Sequence, residues 1–165
     1  MPADPRARLA ARQAELIRAL YGGPPAQGLD PHRVTLTSNA LARKRARAVA
    51  RAWPALTREL GTQYAERFVA YARVTPPPDA GAFADGLAFS QVMAREQRLR
   101  GDARIERMLA TTCNKLRHNR LAARRGPRLA ATITRPPRRL VVIVSFPPIE
   151  ARLISIRLPA RTRLP

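Results

Sequence analysis

His32, His118 and Cys113 are the residues of this sequence suited to soft-metal or nucleophile–base chemistry, and they are scattered along the chain. A structural zinc site takes four Cys or His ligands, and a catalytic one about three from the protein. Cys113 and His118 are five positions apart. On a helix advancing about 100° per residue they point ~140° apart, so they neither share a metal nor form a nucleophile–base pair. Cys113 reads as a small buried hydrophobe. A lone cysteine forms no internal disulfide and fits a reducing compartment. The 11 acidic residues offer little as carboxylate pairs. Asp79 and Asp85 flank a loop and a helix start, where capping accounts for them. Asp102 and Glu106 are spaced i, i+4 and suit capping and dipole compensation. There is no GxxxxGK[ST], GxGxxG or GxSxG. The expectation is a protein without catalytic, metal or cofactor site.

Arginine offers the other kind of chemistry. The chain carries 31 basic residues and a net charge of +20. Lys44 and Lys115 are the two lysines, so the remaining 29 are arginine. Codon bias in a GC-rich genome enriches Arg, Ala and Pro together, but it does not explain the shortage of balancing acids. An excess of this kind favours contact with phosphate or an acidic partner. Arg43, Arg47 and Arg51 are four apart and form one exposed stripe of a helix. Arg117, Arg120, Arg124, Arg125 and Arg128 make a second cluster, and no acidic residue occurs from Arg107 to Ile149. These eight arginines are the candidate polyanion contacts. A solvated arginine face that keeps the protein soluble is the competing explanation.

The elements that must position these residues are mainly helical. Asp4–Pro5 and Asp30–Pro31 each read as a cap followed by a first-turn proline. They predict helices to about Tyr21, stopped by Gly22–Gly23, and to about Trp53. Leu9, Leu16, Ile17 and Leu20 lie on one side of the first. Trp53–Pro54 breaks the second. A short helix over residues 54–60 ends at Gly61, and a further helix, capped by Thr62, runs to about Val74. Its Tyr64, Phe68 and Tyr71 are spaced i, i+4, i+7 on one core face. Residues 56–68 have the helix–glycine–helix outline of a DNA reader, but Arg67 stands where the second helix needs an apolar contact. Thr75–Asp79 is a proline-rich spacer. Phe83–Met93 marks another helix, weakened by Gly86. Asp102 caps a last helix whose buried side includes Ile105, Met108, Leu109 and Leu116.

From about Arg128 the period becomes strand-like. Leu129–Thr134, Leu140–Phe146 and Ala151–Leu158 predict a three-stranded antiparallel meander. Ile154, Ile156 and Leu158 share one face of the last strand. The middle run is apolar on both faces, as in a central strand covered by helices. The fold class is therefore α+β, mainly α: five or six helices over 1–125, a meander over 126–159 packed on them, and a loose tail over 160–165. Residues 1–20 lack the apolar segment of a signal peptide, and the longest apolar run, Leu140–Val144, is too short to cross a bilayer. The expected location is cytoplasmic, with no membrane partner.

The run Arg51-Ala-Trp-Pro-Ala-Leu-Thr-Arg-Glu-Leu-Gly-Thr-Gln-Tyr-Ala-Glu-Arg-Phe-Val-Ala-Tyr71, with Pro76–Pro78 and Gly86–Phe89, resembles an uncharacterised actinobacterial helical family with a basic, strand-rich C-terminus. More distantly, the Pro54–Tyr71 pattern is similar to the bacterial "putative DNA-binding domain" family, whose members partner iron-dependent enzymes that modify peptides. That resemblance implies a non-catalytic accessory module engaging another protein or peptide. The arginine clusters imply the alternative, a nucleic-acid-binding protein holding the phosphate backbone.

Overall fold

The computed structural model describes residues 4–117, 119–134, 139–145 and 151–157. The order is α1 (Pro5–Leu20), α2 (Pro31–Ala52), α3 (Pro54–Leu60), α4 (Gln63–Val74), α5 (Gly81–Arg95), α6 (Gly101–Cys113), β1 (Asn114–Arg117), β2 (Arg120–Ala123), β3 (Arg128–Thr134), β4 (Arg139–Ser145) and β5 (Arg152–Arg157). The fold is α+β and mainly α, with six helices and a three-stranded antiparallel sheet of order β3-β4-β5 among the described residues. Two compact units divide the chain. One comprises Met1–Ala48 with Thr62–Pro77, the other Val49–Gly61 with Pro78–Pro165.

In the first unit the helix starts follow their caps. Asp4 Oδ1 accepts from the Arg6 amide (3.1 Å) and Asp30 Oδ1 from the His32 amide (2.9 Å). Both satisfy donors that a first helical turn leaves free. Thr62 holds the N-cap position of α4 without a side-chain hydrogen bond. The core gathers Ala42, Ala46, Tyr64, Phe68 and Ala72. Tyr64 also donates its hydroxyl to the Ala46 carbonyl (2.7 Å). Arg45 is enclosed with them. Its guanidinium lies 5.7 Å from the Tyr21 ring centroid and 6.0 Å from those of Phe68 and Tyr71. Nη1 donates to the carbonyls of Ala72 (2.9 Å) and Thr75 (2.8 Å), at the C-terminal end of α4. A cation there satisfies the last carbonyls and complements the helix dipole. α1 buries no residue completely: Leu16 and Leu20 are half-buried, while Leu9 and Ile17 are exposed.

The second unit is built around Trp53, Leu56, Leu87 and Phe89, all fully buried. The indole Nε1 donates to the Phe83 carbonyl (3.0 Å), and its ring is 5.4 Å from that of Phe83. Gly86 is what lets α5 come this close. A Cβ there would overlap Cδ1 and Nε1 of Trp53 and approach Cγ to 2.8 Å. α6 packs on α3, α5, β3 and β4. Its Glu106 accepts from the amides of Leu56 (2.8 Å) and Ala55 (3.2 Å), capping α3 rather than its own helix. Two other acids also depart from the capping expected of them. Asp85 is buried in the second turn of α5, and Asp102 lies within the first turn of α6, whose N-cap is Arg100.

The last helix is shorter than the apolar spacing through Leu116 predicts. It ends at Cys113, and Asn114 is already extended (φ −132°, ψ 158°). An antiparallel hairpin follows, with Asn114 opposite Ala123 and Arg117 opposite Arg120. Just before β2, Asn119 adopts φ +67°, which asparagine tolerates in tight hairpins. The returning strand closes the helix end: the Arg124 amide donates to the Cys113 carbonyl (2.8 Å), and its Nε to those of Thr111 (2.9 Å) and Asn114 (3.2 Å). The meander forms as expected, with β4 central. Its cover does not. Val141, Ile143 and Ser145 are buried toward α6, whereas Leu140, Val142 and Val144 are only half-covered, so a helix closes one face and not two. The tail at 160–165 and Leu158 fall outside the described residues.

Replacing a helical glycine by alanine ordinarily favours the helix by about 1 kcal/mol. Gly86→Ala is expected to reverse that sign, because overpacking against Trp53 costs roughly 3 kcal/mol. Urea denaturation followed by Trp53 fluorescence measures it; an unchanged or raised midpoint would show that the close approach is not required.

Candidate functional site

The arginines singled out by spacing separate into two kinds. Arg43, Arg47 and Arg51 are exposed on successive turns of α2. Arg45, which falls between them in sequence, is turned inward and bound to the end of α4. In the second cluster, Arg117 and Arg120 are exposed and opposite one another where the β1–β2 hairpin turns. Arg120 Nε also lies 3.6 Å from Asp79 Oδ2, an exposed pair of little energetic weight. Arg125 and Arg128 are exposed on the connection into β3 and at its first residue. Arg124 is half-buried, its Nε holding the C-terminal carbonyls of α6. Its position supports the fold, while the other seven candidates present their side chains to solvent.

Of the residues with redox or metal chemistry, Cys113 and His32 are described. Cys113 is half-buried at the last position of α6, His32 is exposed at the start of α2, and His118 lies outside the described residues. Since α6 stops at Cys113, the helical angle between Cys113 and His118 does not apply. Among the described residues, no group of three or more His, Cys, Asp or Glu side chains could hold a metal ion. No described helix is long and apolar enough to cross a membrane.

Two apolar features escaped the reading of the sequence. The first is the uncovered face of the β3–β4–β5 sheet. The register sets Leu129 opposite Val144, Ala131 opposite Val142 and Ile133 opposite Leu140. Across β4, Ile154 stands opposite Val142 and Ile156 opposite Leu140. These eight side chains alternate with the α6-facing set, so they share one face. Leu129 (72% exposed), Ile133 (48%), Ile154 (51%) and Ile156 (52%) are left open on this face, while Leu140, Val142 and Val144 are half-buried. The alternation Leu129, Ala131, Ile133 was the available signal, but it does not say which face a helix will take. The second feature is a cavity of about 570 Å³ in the first unit, lined by Leu16, Leu20, Leu29 and Val34 with Asp30, Arg33 and Thr37.

These observations define a mainly helical α+β chain with exposed arginines in each unit and, in the second unit, an apolar sheet face opposite α6. Residues 10–95 match the family described as "SCO6045-like, C-terminal domain", just over half of the chain, and the chain belongs to that family. It is also similar to a "UPF0276 protein" of Streptomyces avermitilis, with 41% identity over 92 residues, 54% of this chain and 19% of that relative. The chain thus spans about a fifth of the length of this curated relative. No solved structure matches it. The family match ends with the last residue of α5, so α6, the hairpin and the sheet lie beyond the matched region.

Arg124→Ala removes a charged donor from two helix-end carbonyls and is expected to cost about 1–2 kcal/mol. Arg43→Gln and Arg47→Gln, which alter exposed side chains, should stay within about 0.5 kcal/mol of the parent. Thermal unfolding by circular dichroism separates the two classes; equal midpoints for all three variants would contradict this assignment.

Proposed function

We propose that this protein is a non-catalytic accessory module that engages another protein or a peptide in the cytoplasm. The observation that carries this reading is the uncovered sheet face with its eight apolar side chains. Contiguous apolar patches of this kind mark protein interaction surfaces. Phosphate contacts require none, since backbone recognition of nucleic acid is made by charged and polar donors. The membership of a family described as a C-terminal domain, and the match to a small part of a longer relative, agree with a module that works beside other protein. The resemblance of the Pro54–Tyr71 pattern to proteins that accompany iron-dependent peptide-modifying enzymes points the same way.

The alternative, a nucleic-acid binder, draws support from the exposed Arg43, Arg47 and Arg51 on α2 and from Arg117, Arg120, Arg125 and Arg128. The two readings differ in their response to salt. Neutralising Z phosphates makes log K fall with log salt at a slope of about −0.9Z for duplex DNA.

The test is a pull-down from host lysate with and without nuclease, followed by salt titration of whatever is retained. The proposed function expects a protein partner that survives nuclease treatment and a shallow salt dependence. A partner lost on nuclease treatment, with retained nucleic acid released steeply by salt, would establish the alternative. Substrate turnover by the purified protein that is lost in Cys113→Ala would overturn the non-catalytic part.

A further inference from the structure

From the β1–β2 hairpin we infer a second activity: it holds the phosphodiester backbone of duplex nucleic acid without reading the bases. This goes beyond the protein-engaging role proposed above and uses a surface other than the open sheet face.

The register fixes which side chains act together. Arg117 lies directly opposite Arg120, and Lys115 opposite Ala122. Side chains alternate along a strand, so Lys115, Arg117 and Arg120 share one face of the hairpin, and Leu116 and Leu121 the other. Arg117 and Arg120 are exposed and Lys115 is half-buried. Arg125 follows β2 and Arg128 begins β3, both exposed. Like charges directly opposite one another destabilise a strand pair. Asp79 offsets this in part, its Oδ2 lying 3.6 Å from Arg120 Nε. No acid occurs in the sequence from Arg107 to Ile149. An external polyanion relieves the repulsion that remains.

The hairpin is held in place before any ligand arrives. α5 and α6 pack on β1. The Arg124 amide and Nε grip the end of α6, and the Asp79 amide donates to the Asn119 carbonyl (3.3 Å). Fixing the arginines beforehand lowers the entropy lost on binding. The α2 stripe, by contrast, divides between the units: Arg43 and Arg47 belong to the first and Arg51 to the second.

Residue types select the ligand. Guanidinium forks bind phosphate bidentately. A protein interface is built on an apolar centre, whereas this face carries cations and Ala122. Single strands are held by stacking their bases on aromatic side chains, and no aromatic residue occurs from Gly101 to Ser145. A duplex encloses its bases and presents one charge per about 1.7 Å of axis, so cations suffice.

The probe is a fluorescein-labelled DNA duplex of about 20 base pairs, titrated with the full chain by anisotropy at several salt concentrations. Four phosphate contacts give an expected log–log slope of about −3.6, a loss of roughly a hundredfold between about 50 and 200 mM salt. Arg117→Gln with Arg120→Gln should weaken binding at least about tenfold and make the slope shallower by about 2. Asp79→Asn, which releases Arg120, should strengthen binding about twofold. Arg8→Gln with Arg12→Gln removes the same charge from exposed positions of α1 and should stay within about twofold of the parent. Circular dichroism should be unchanged throughout. A DNA duplex of unrelated sequence and an RNA duplex should each bind within about threefold of the first. Equal losses in the α1 and hairpin variants would show that total charge holds the duplex, and would overturn the inference. So would a larger loss in Arg43→Gln with Arg47→Gln, no binding near physiological salt, tighter binding of single strands, or a strong preference for one sequence or for RNA. Polyglutamate competing as well as the duplex would assign the surface to an acidic protein instead. The accessory role is tested apart from this: a nuclease-resistant protein partner should still be retained by Arg117→Gln with Arg120→Gln, and a parent protein that retains none loses that role while duplex binding stands.

Discussion

Trp53 is the residue on which the second unit turns. Its amide donates to Val49 and closes the ladder of α2 (2.8 Å), while its carbonyl accepts from the Thr57 amide (3.1 Å) and hydroxyl (2.9 Å) at the start of α3. Its indole then fixes the distance to α5 through Phe83 and the missing side chain of Gly86. Truncating a buried aromatic of this size typically costs 3–5 kcal/mol. The following turn is tied to α6 by the Glu106 carboxylate. Within the second unit one residue pair and one carboxylate therefore tie residues 49–52 to α3, α5 and α6, and α6 packs on β3 and β4.

The distribution of charge follows from the helix ends. Asp4, Asp30 and Glu106 accept backbone amides at helix starts, and Glu15 holds the amide of Gln27. Arg45 and Arg124 do the converse, meeting carbonyls where α4 and α6 finish. These assignments match the dipole at each terminus. The surplus of arginine itself comes from composition, 31 basic against 11 acidic residues.

Helix starts were legible in the sequence because Asp–Pro signatures act locally: the bonds they predict span two residues. The aromatic face of α4 was legible for the same reason, its period being set by the helix itself. The role of Glu106 was not, because the amides it satisfies are 50 residues away. The end of α6 was misread since Ile105, Met108, Leu109 and Leu116 keep helical spacing while the backbone turns extended at Asn114. There the hairpin and Arg124 offer the terminal carbonyls better partners than another helical turn. Among the arginines, exposure could be read from the α2 stripe but not from adjacency, as the inward Arg45 between Arg43 and Arg47 shows. The strands and their order were legible from alternation. Which faces are covered depends on the length and number of helices that reach the sheet, and one does.

β5 is the outer strand of its sheet, and every one of its residues is exposed. An edge with free backbone donors and alternating isoleucines is a template on which copies of a chain can stack. Its two ends are Arg152 and Arg157, and the neighbouring β4 begins with Arg139. Charges at these positions act as gatekeepers, making each added copy repel the last. Arginine at the ends of an exposed edge thus sets like charges against each other wherever a second copy would add its own β5 alongside.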